Sequence, residues 1–244
     1  MNESLHTVRR AVILAAGTGT RLRPLTEQTP KPLISVNGVR MIDSILRALH
    51  ANGVTEIYAV VGHLKEQFRS LPKQYPGLVL IENPDYATSN NIGSLYAARE
   101  HLMDCIILDG DQIIRNPAVL APTFTRSGYH AVWCAGETNE WLLTEKDGII
   151  TGCSRTGGKG GWQLFSVSRW TEQDGKKLAA LVEQAYKAGR RDLYWDDVPL
   201  FLHPEAFTLA VYPMQQGDVI EIDSREDLER IDPSYGEEGT DRGT

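Results

Sequence analysis

The alternation of short apolar runs with amphipathic stretches limits how this chain can fold more than any other feature. Val8 to Ala15, "VTEIYAVVG", "LVLIEN" and "CIILDGD" each read as a buried strand, since so short a run, apolar throughout, leaves no side for solvent. Between the first two, "VRMIDSILRALHANG" sets Met41, Ile42, Ile45, Leu46 and Leu49 at helical spacing and stops at Gly53. "LKEQFRSLPKQY" and "NNIGSLYAAREHL" read as two more helices. Such alternation implies parallel strands with helices on both faces. Ligands of these sheets bind beyond the C-terminal strand ends. The loop from Gly17, Asn83, and Asp109 with Asp111 all follow strand ends, so they are expected to converge on one site.

The second half is less regular. "HAVWCAG", "GWQLFSVSRW", "FTLAVYPM" and "DVIEID" read as strands. "DGKKLAALVEQAYKAG" reads as an amphipathic helix burying Leu178, Leu181, Val182 and Ala185. The glycines of "SRTGGKGGWQ" predict a mobile loop. The fold class expected is α/β: a Rossmann-like, mostly parallel mixed sheet flanked by helices, in one domain over residues 1–232. The polar, glycine-rich segment 233–244 is expected to fray.

A net charge of −7 argues against a general nucleic-acid binder, which carries a basic face. No apolar stretch is long enough to cross a bilayer, and the first ten residues have no apolar signal core. The expectation is a cytoplasmic protein with neither nucleic acid nor membrane as partner. Cys105, Cys134 and Cys153 lack metal-ligand spacing and read as reduced core thiols.

The loop "GTGTRLRPLTEQTPKP" carries the chemistry. It is not a P-loop, having no G-x-x-x-x-G-K-[ST]. It keeps two glycines of a dinucleotide fingerprint, with Leu22 at the third position. A plain turn explains the glycines but not Arg21 and Lys31 in one excursion. Glycines let backbone N–H groups approach a triphosphate, the Arg21 fork suits the leaving β- and γ-phosphates, and prolines set the reach of Lys31 toward charge between donor and acceptor. In-line attack on an α-phosphate also wants a divalent cation held by hard oxygens. "ILDGDQ" and "VIEIDS" supply Asp109, Asp111, Glu221 and Asp223. A phosphate monoester is already mostly a dianion at neutral pH, so no general base is needed and none of the six histidines is assigned a role.

The full pattern "LAAGTGTRLRPLTEQTPKPL" resembles the signature of the sugar-phosphate nucleotidyltransferase family, whose members join a nucleoside monophosphate to a phosphorylated small molecule and release pyrophosphate. With "NNIGSLY", "TNEWLL", "RRDLYWDD" and "EIDS", the chain looks most like the bacterial CTP:phosphocholine cytidylyltransferase branch, from the first strand to about Leu228. The resemblance implies a nucleotidyltransferase fold and a Mg²⁺ held by Asp111 and Asp223. It implies CTP and a small phosphorylated amino-alcohol, most of all phosphocholine, as partners.

On this reading Arg21, Lys31 and Asp111 are catalytic. The nucleotide meets Leu14, Ala15, Ala16, Gly17, Thr18, Gly19, Thr20 and Arg21, with Asn83, Asn90, Asn91, Ser94 and Asp109 beside them. A trimethylammonium head donates no N–H bonds, so aromatic faces and carboxylates must recognise it. Trp141, Tyr194 and Trp195 are candidate walls; Glu140, Asp192, Asp196 and Glu221 are candidate counter-charges. The alternatives are the same chemistry on phosphoethanolamine, 2-aminoethylphosphonate or a sugar 1-phosphate, and a nucleotide-sensing module without catalysis.

Overall fold

Every side chain from Ala11 to Ala15 is buried, and the strand's pleat sorts them onto two faces. The computed structural model describes residues 4–237. In it β1 (Arg10–Ala15) lies between β2 (Glu56–Val61) and β4 (Cys105–Asp109), and β3 (Leu78–Glu82) pairs with β2, all parallel. Ala11 and Ile13 pack with Ile42, Ile45, Leu46 and Leu49 of helix α1 (Met41–Ala51). Val12 and Leu14 face Ile92 and Leu95 of α2 (Asn91–Ala97), together with Leu178 and Val182 of α3 (Glu172–Lys187). Both faces are covered, which is why these strands are apolar throughout.

The sheet continues beyond β4 with reversed sense. β5 (Gln112–Ile114) leaves it, and after the two-residue strand Thr123–Phe124, which pairs with His6–Thr7, come β6 (Gly128–Thr138), β7 (Leu142–Lys146), β8 (Ile149–Ser154), β9 (Gly158–Trp170), β10 (Ala210–Met214) and β11 (Val219–Glu221). The nine-stranded sheet runs β3-β2-β1-β4-β9-β7-β8-β10-β6, and β6 also pairs with β9, so its last five strands close on themselves. β9 runs antiparallel to β4, with Val167 opposite Leu108. This is the mixed, helix-flanked sheet that the sequence predicts. β11 instead pairs with β5, setting Glu221 opposite Gln112. That pairing carries the late "EIDS" segment back beside "DGD".

Four expectations need correction. "LKEQFRSLPKQY" is a 3₁₀ turn, Lys65–Phe68, and a one-turn helix, Leu71–Gln74. Pro72 has no N–H to donate to the Phe68 carbonyl, so a single helix cannot run unbroken through both, whereas proline suits the first turn of a new one. The helix from Asn91 stops at Ala97 and continues as the 3₁₀ turn Arg99–His101. The segment expected to be mobile lies mostly within β9: Lys159 pairs with Glu137 and Gly158 with Thr138, so a partner strand orders the glycines. The β7–β8 hairpin was not anticipated, although Asp147-Gly148, with φ 54 and 78, is a two-residue turn signal. Only Cys105 of the three cysteines is fully buried.

At the C-terminus α4 (Arg225–Ile231) is followed by a helical turn, Ser234–Glu237, whose Tyr235 hydroxyl donates to the Ser35 carbonyl at 2.7 Å. The rest of the segment expected to fray, residues 238–244, lies outside the described residues.

Gly175 shows how closely α3 packs. A Cβ there would stand 1.9 Å from the Leu102 carbonyl oxygen. Gly→Ala inside a helix ordinarily gains about 1 kcal/mol. Gly175→Ala is expected to reverse that sign and cost about 1–3 kcal/mol through overpacking, measured as a lower midpoint in urea unfolding.

Candidate active site

The loop after β1 is shaped by one left-handed residue. Gly19 has φ 62, and a Cβ there would meet Thr26 Cγ2 at 2.8 Å. Thr26 Oγ1 donates to the Gly19 carbonyl at 2.8 Å, closing the loop on itself. Leu22 fills the position where a dinucleotide fingerprint would have glycine, and it is buried with Ile34, Met41, Ile222 and Leu228. The loop is therefore seated on the body of the protein. A 3₁₀ turn, Lys31–Leu33, then aims Lys31 inward.

Lys31 Nζ donates to Asp111 Oδ2 at 2.6 Å and to Asp223 Oδ1 at 3.0 Å. Arg21 Nη2 donates to the same Asp223 oxygen at 3.0 Å. The loop, the end of β4 and the segment after β11 thus meet at one ammonium. Burial of Lys31 works to lower its pKa, but the two carboxylates outweigh burial and leave it raised. Lys31 is cationic throughout the physiological range.

The surrounding carboxylates are crowded. Burial pushes Glu221 up to about 8, the Asp111 charge adding to the effect, while Gln112 Nε2, donating at 2.9 Å, opposes it. Burial and then Asp111 raise Asp109 well above the usual carboxylate range. Burial also pushes Asp196 up to about 7; the neighbouring Tyr129 hydroxyl opposes this and Asp197 adds to it. Burial thus favours the neutral forms of these three acids, while Lys31 and Arg21 balance Asp111 and Asp223.

Among the described residues no three His, Cys, Asp or Glu side chains are grouped to hold a metal. The pair Asp111 and Asp223 nevertheless fits Mg²⁺, which usually takes one or two carboxylates and completes its octahedron with substrate phosphates and water.

These groups line one cleft of about 600 Å³. Into it open the run from Leu14 through Gly17 to Arg21, the side of α2 with Asn83, Asn90, Asn91 and Ser94, and the acids Asp109, Asp196 and Glu221. Glu140, Trp141 and Tyr194 line it too, with the Trp141 and Tyr194 rings edge to face at 5.7 Å between centroids. The asparagines are structurally engaged. Asn91 Oδ1 accepts the Trp195 N–H at 2.8 Å, Asn90 Nδ2 donates to the Asp192 carbonyl at 3.2 Å, and Asn83 Nδ2 donates to Ser94 Oγ at 3.1 Å.

Two residues are not where the sequence reading put them. Trp195 is fully buried, against Tyr129 and Trp170, so it is core and not a wall. Asp192 is exposed and does not line the cleft, offering α2 its carbonyl rather than offering the cleft its carboxylate. In "YWDD", only alternate side chains face the site.

The sequence reading also missed lining residues, chiefly Arg155, with Asn139, Tyr86 and Ser166. Arg155 ion-pairs with Asp197 at 2.5 Å, and its guanidinium lies 4.1 Å from the Phe201 ring centroid and 5.6 Å from that of Trp141. Nothing in "CSRTGG" signalled this, because its contacts come from residues more than ten positions away.

Residues 11–207 match the MobA-like NTP transferase domain family. The chain belongs to that family. Among curated relatives of this NTP transferase, the 2-aminoethylphosphonate cytidylyltransferase of Lancefieldella rimae is 39% identical over 229 residues, 92% of each chain. The choline-phosphate cytidylyltransferase of Streptococcus pneumoniae is 36% identical, over 91% of this chain and 96% of the relative. A solved structure of the CTP:phosphocholine cytidylyltransferase from Streptococcus pneumoniae superposes with a TM-score of 0.84 at 35% identity, covering 93% of this chain and 99% of that one. No helix among the described residues of the transferase is long and apolar enough to cross a membrane.

Asp196 gives a pH test. Its folded pKa of about 7 lies above the ordinary carboxylate value, so between about pH 4 and 7 the folded chain holds a proton that the unfolded chain releases. The folded state is therefore destabilised as pH rises through that window, and the loss is complete above about pH 8. Asp196→Asn removes the titration. Its stability relative to the unsubstituted protein is expected to rise by about 2–4 kcal/mol from pH 4 to pH 8 and then level off, measured by urea unfolding without divalent cations.

Proposed function

We propose that the protein is a Mg²⁺-dependent cytidylyltransferase, moving CMP from CTP to a small amine that carries a phosphate or phosphonate. The observation that carries this reading is Lys31 held between Asp111 and Asp223 in a cleft that also exposes Trp141 and Tyr194. The acceptor's anionic oxygen attacks the α-phosphorus in line, a new P–O bond forms, the α–β bond breaks, and pyrophosphate leaves. Backbone N–H groups from Gly17 to Thr20 face the triphosphate, Arg21 takes the leaving phosphates, and Lys31 neutralises the charge growing between the reactants. Asp111 and Asp223 would hold Mg²⁺, which when bound neutralises and orients phosphate oxygens.

Two acceptors fit this class. Phosphocholine is supported by the Trp141–Tyr194 pair and by the streptococcal relatives. 2-Aminoethylphosphonate is supported by the relative from Lancefieldella rimae and by the guanidinium already resting on Trp141.

The test is pyrophosphate release across CTP, UTP and dTTP against phosphocholine, phosphoethanolamine, 2-aminoethylphosphonate and a sugar 1-phosphate. The expected result is turnover with CTP and an amine-bearing acceptor only; turnover confined to a sugar phosphate, or none at all, refutes the reading. Lys31→Ala is expected to lower kcat about 10²–10³-fold, in line with the loss of one well-placed transition-state donor. Chelation should abolish turnover and added Mg²⁺ restore it.

A further inference from the structure

The cleft contains a cation of its own at the place where an aromatic site would take one from the substrate. Arg155 sits in the turn between β8 and β9, and that turn is pinned by Ser154 Oγ donating to the Gly157 carbonyl at 2.7 Å. From there the guanidinium lies within cation–π distance of both Phe201 and Trp141, at 4.1 and 5.6 Å. Asp197, buried and fixed by the Tyr194 N–H at 3.0 Å, holds it in an ion pair at 2.5 Å. The Trp141 face is therefore already taken by a cation, the Tyr194 ring being left uncovered, and a second cation beside Trp141 would sit next to a like charge.

A second observation points the same way. Asp196 is 4% exposed and lines the cleft, and its Oδ1 accepts no hydrogen bond of ordinary geometry, although the Tyr129 hydroxyl lies near enough to favour its charged form. An orphaned buried acceptor is costly until a donor arrives. A primary ammonium brings three N–H donors, whereas a trimethylammonium brings none.

We propose that Arg155 is a specificity-determining residue of the acceptor site: clamped by Asp197, it fills the aromatic faces of Trp141 and Phe201 and leaves the Asp196 carboxyl as the acceptor for a primary ammonium. This rests on the cytidylyltransferase reading and goes further, since it assigns acceptor choice to one side chain. Removing the guanidinium reopens an aromatic site with an unpaired carboxylate behind it, which is what a trimethylammonium needs.

The experiment compares phosphoethanolamine with phosphocholine, which differ only in three N-methyl groups, by kcat/KM at saturating CTP and Mg²⁺. The unsubstituted protein is expected to prefer phosphoethanolamine. Arg155→Ala is expected to shift the ratio toward phosphocholine by about tenfold, with the KM for CTP changed less than about twofold. Arg155→Lys keeps the charge and is expected to hold the original preference. Should the alanine variant be insoluble, Arg155→Gln supplies a neutral side chain of similar length with the same expected shift.

An unchanged ratio in the neutral variants overturns the proposal. So does a preference for phosphocholine in the unsubstituted protein that the alanine variant loses. A merely structural role would weaken both acceptors and CTP together and leave the ratio still. Absence of cytidylyl transfer to either acceptor would instead defeat the underlying reading, so the two failures are distinct.

Discussion

The arrangement of the site depends on one ammonium group. Lys31 lies 80 positions from Asp111 and 192 from Asp223, and its Nζ is within 3.0 Å of a carboxylate oxygen on each. Without that cation, Asp109, Asp111, Glu221 and Asp223 would be mutually repelling acids in a partly enclosed space; Asp109 and Glu221 are raised by burial first and by the Asp111 charge second. Folding alone therefore builds a place that favours further positive charge. In the proposed function Asp111 and Asp223 would hold Mg²⁺ through the oxygens that Lys31 now contacts. On that reading Lys31 would turn from carboxylate to phosphate oxygens, and the ion pair keeps it beside both.

That convergence follows from topology before it follows from chemistry. Parallel pairing places the ends of β1 and β4 side by side, with Leu14 opposite Asp109, so the glycine loop and the "DGD" turn emerge together. The small β5–β11 pairing then returns the C-terminal segment to the same spot, with Glu221 opposite Gln112. Leu22, Ile34, Met41, Ile222 and Leu228 form a separate apolar cluster beneath, which ties the loop to that segment. Arg21 and Lys31 are positioned by this packing as much as by their own hydrogen bonds.

The parts legible in the sequence were those whose cause is local. Apolar runs of six residues, helical spacing in "MIDSILRALHA", and a loop with fixed glycine, arginine and lysine positions carry their own signals. The misreadings have non-local causes. Trp195 and Tyr194 are adjacent and equally aromatic, yet one is fully buried and the other half exposed, because the N–H of Trp195 is held by Asn91 from another element and its ring faces Tyr129 and Trp170. "TGGKGG" reads as loose until a partner strand is known. Arg155 carried no signal because Trp141, Asp197 and Phe201 come from three other segments.

The asparagines at the start of α2 join these levels. Asn90 and Asn91 are expected beside the nucleotide, and they do line the cleft, but their amides bind the backbone of residues 192 and 195. That backbone carries Tyr194 and Asp196 into the cleft and Asp197 onto Arg155. A shift of α2 on the nucleotide side would thus be transmitted directly to the groups proposed to choose the acceptor. Two hydrogen bonds tie the start of α2 to the segment that carries Tyr194 and Asp196, so the wall proposed for the nucleotide and the wall proposed for the amine take their positions from one helix.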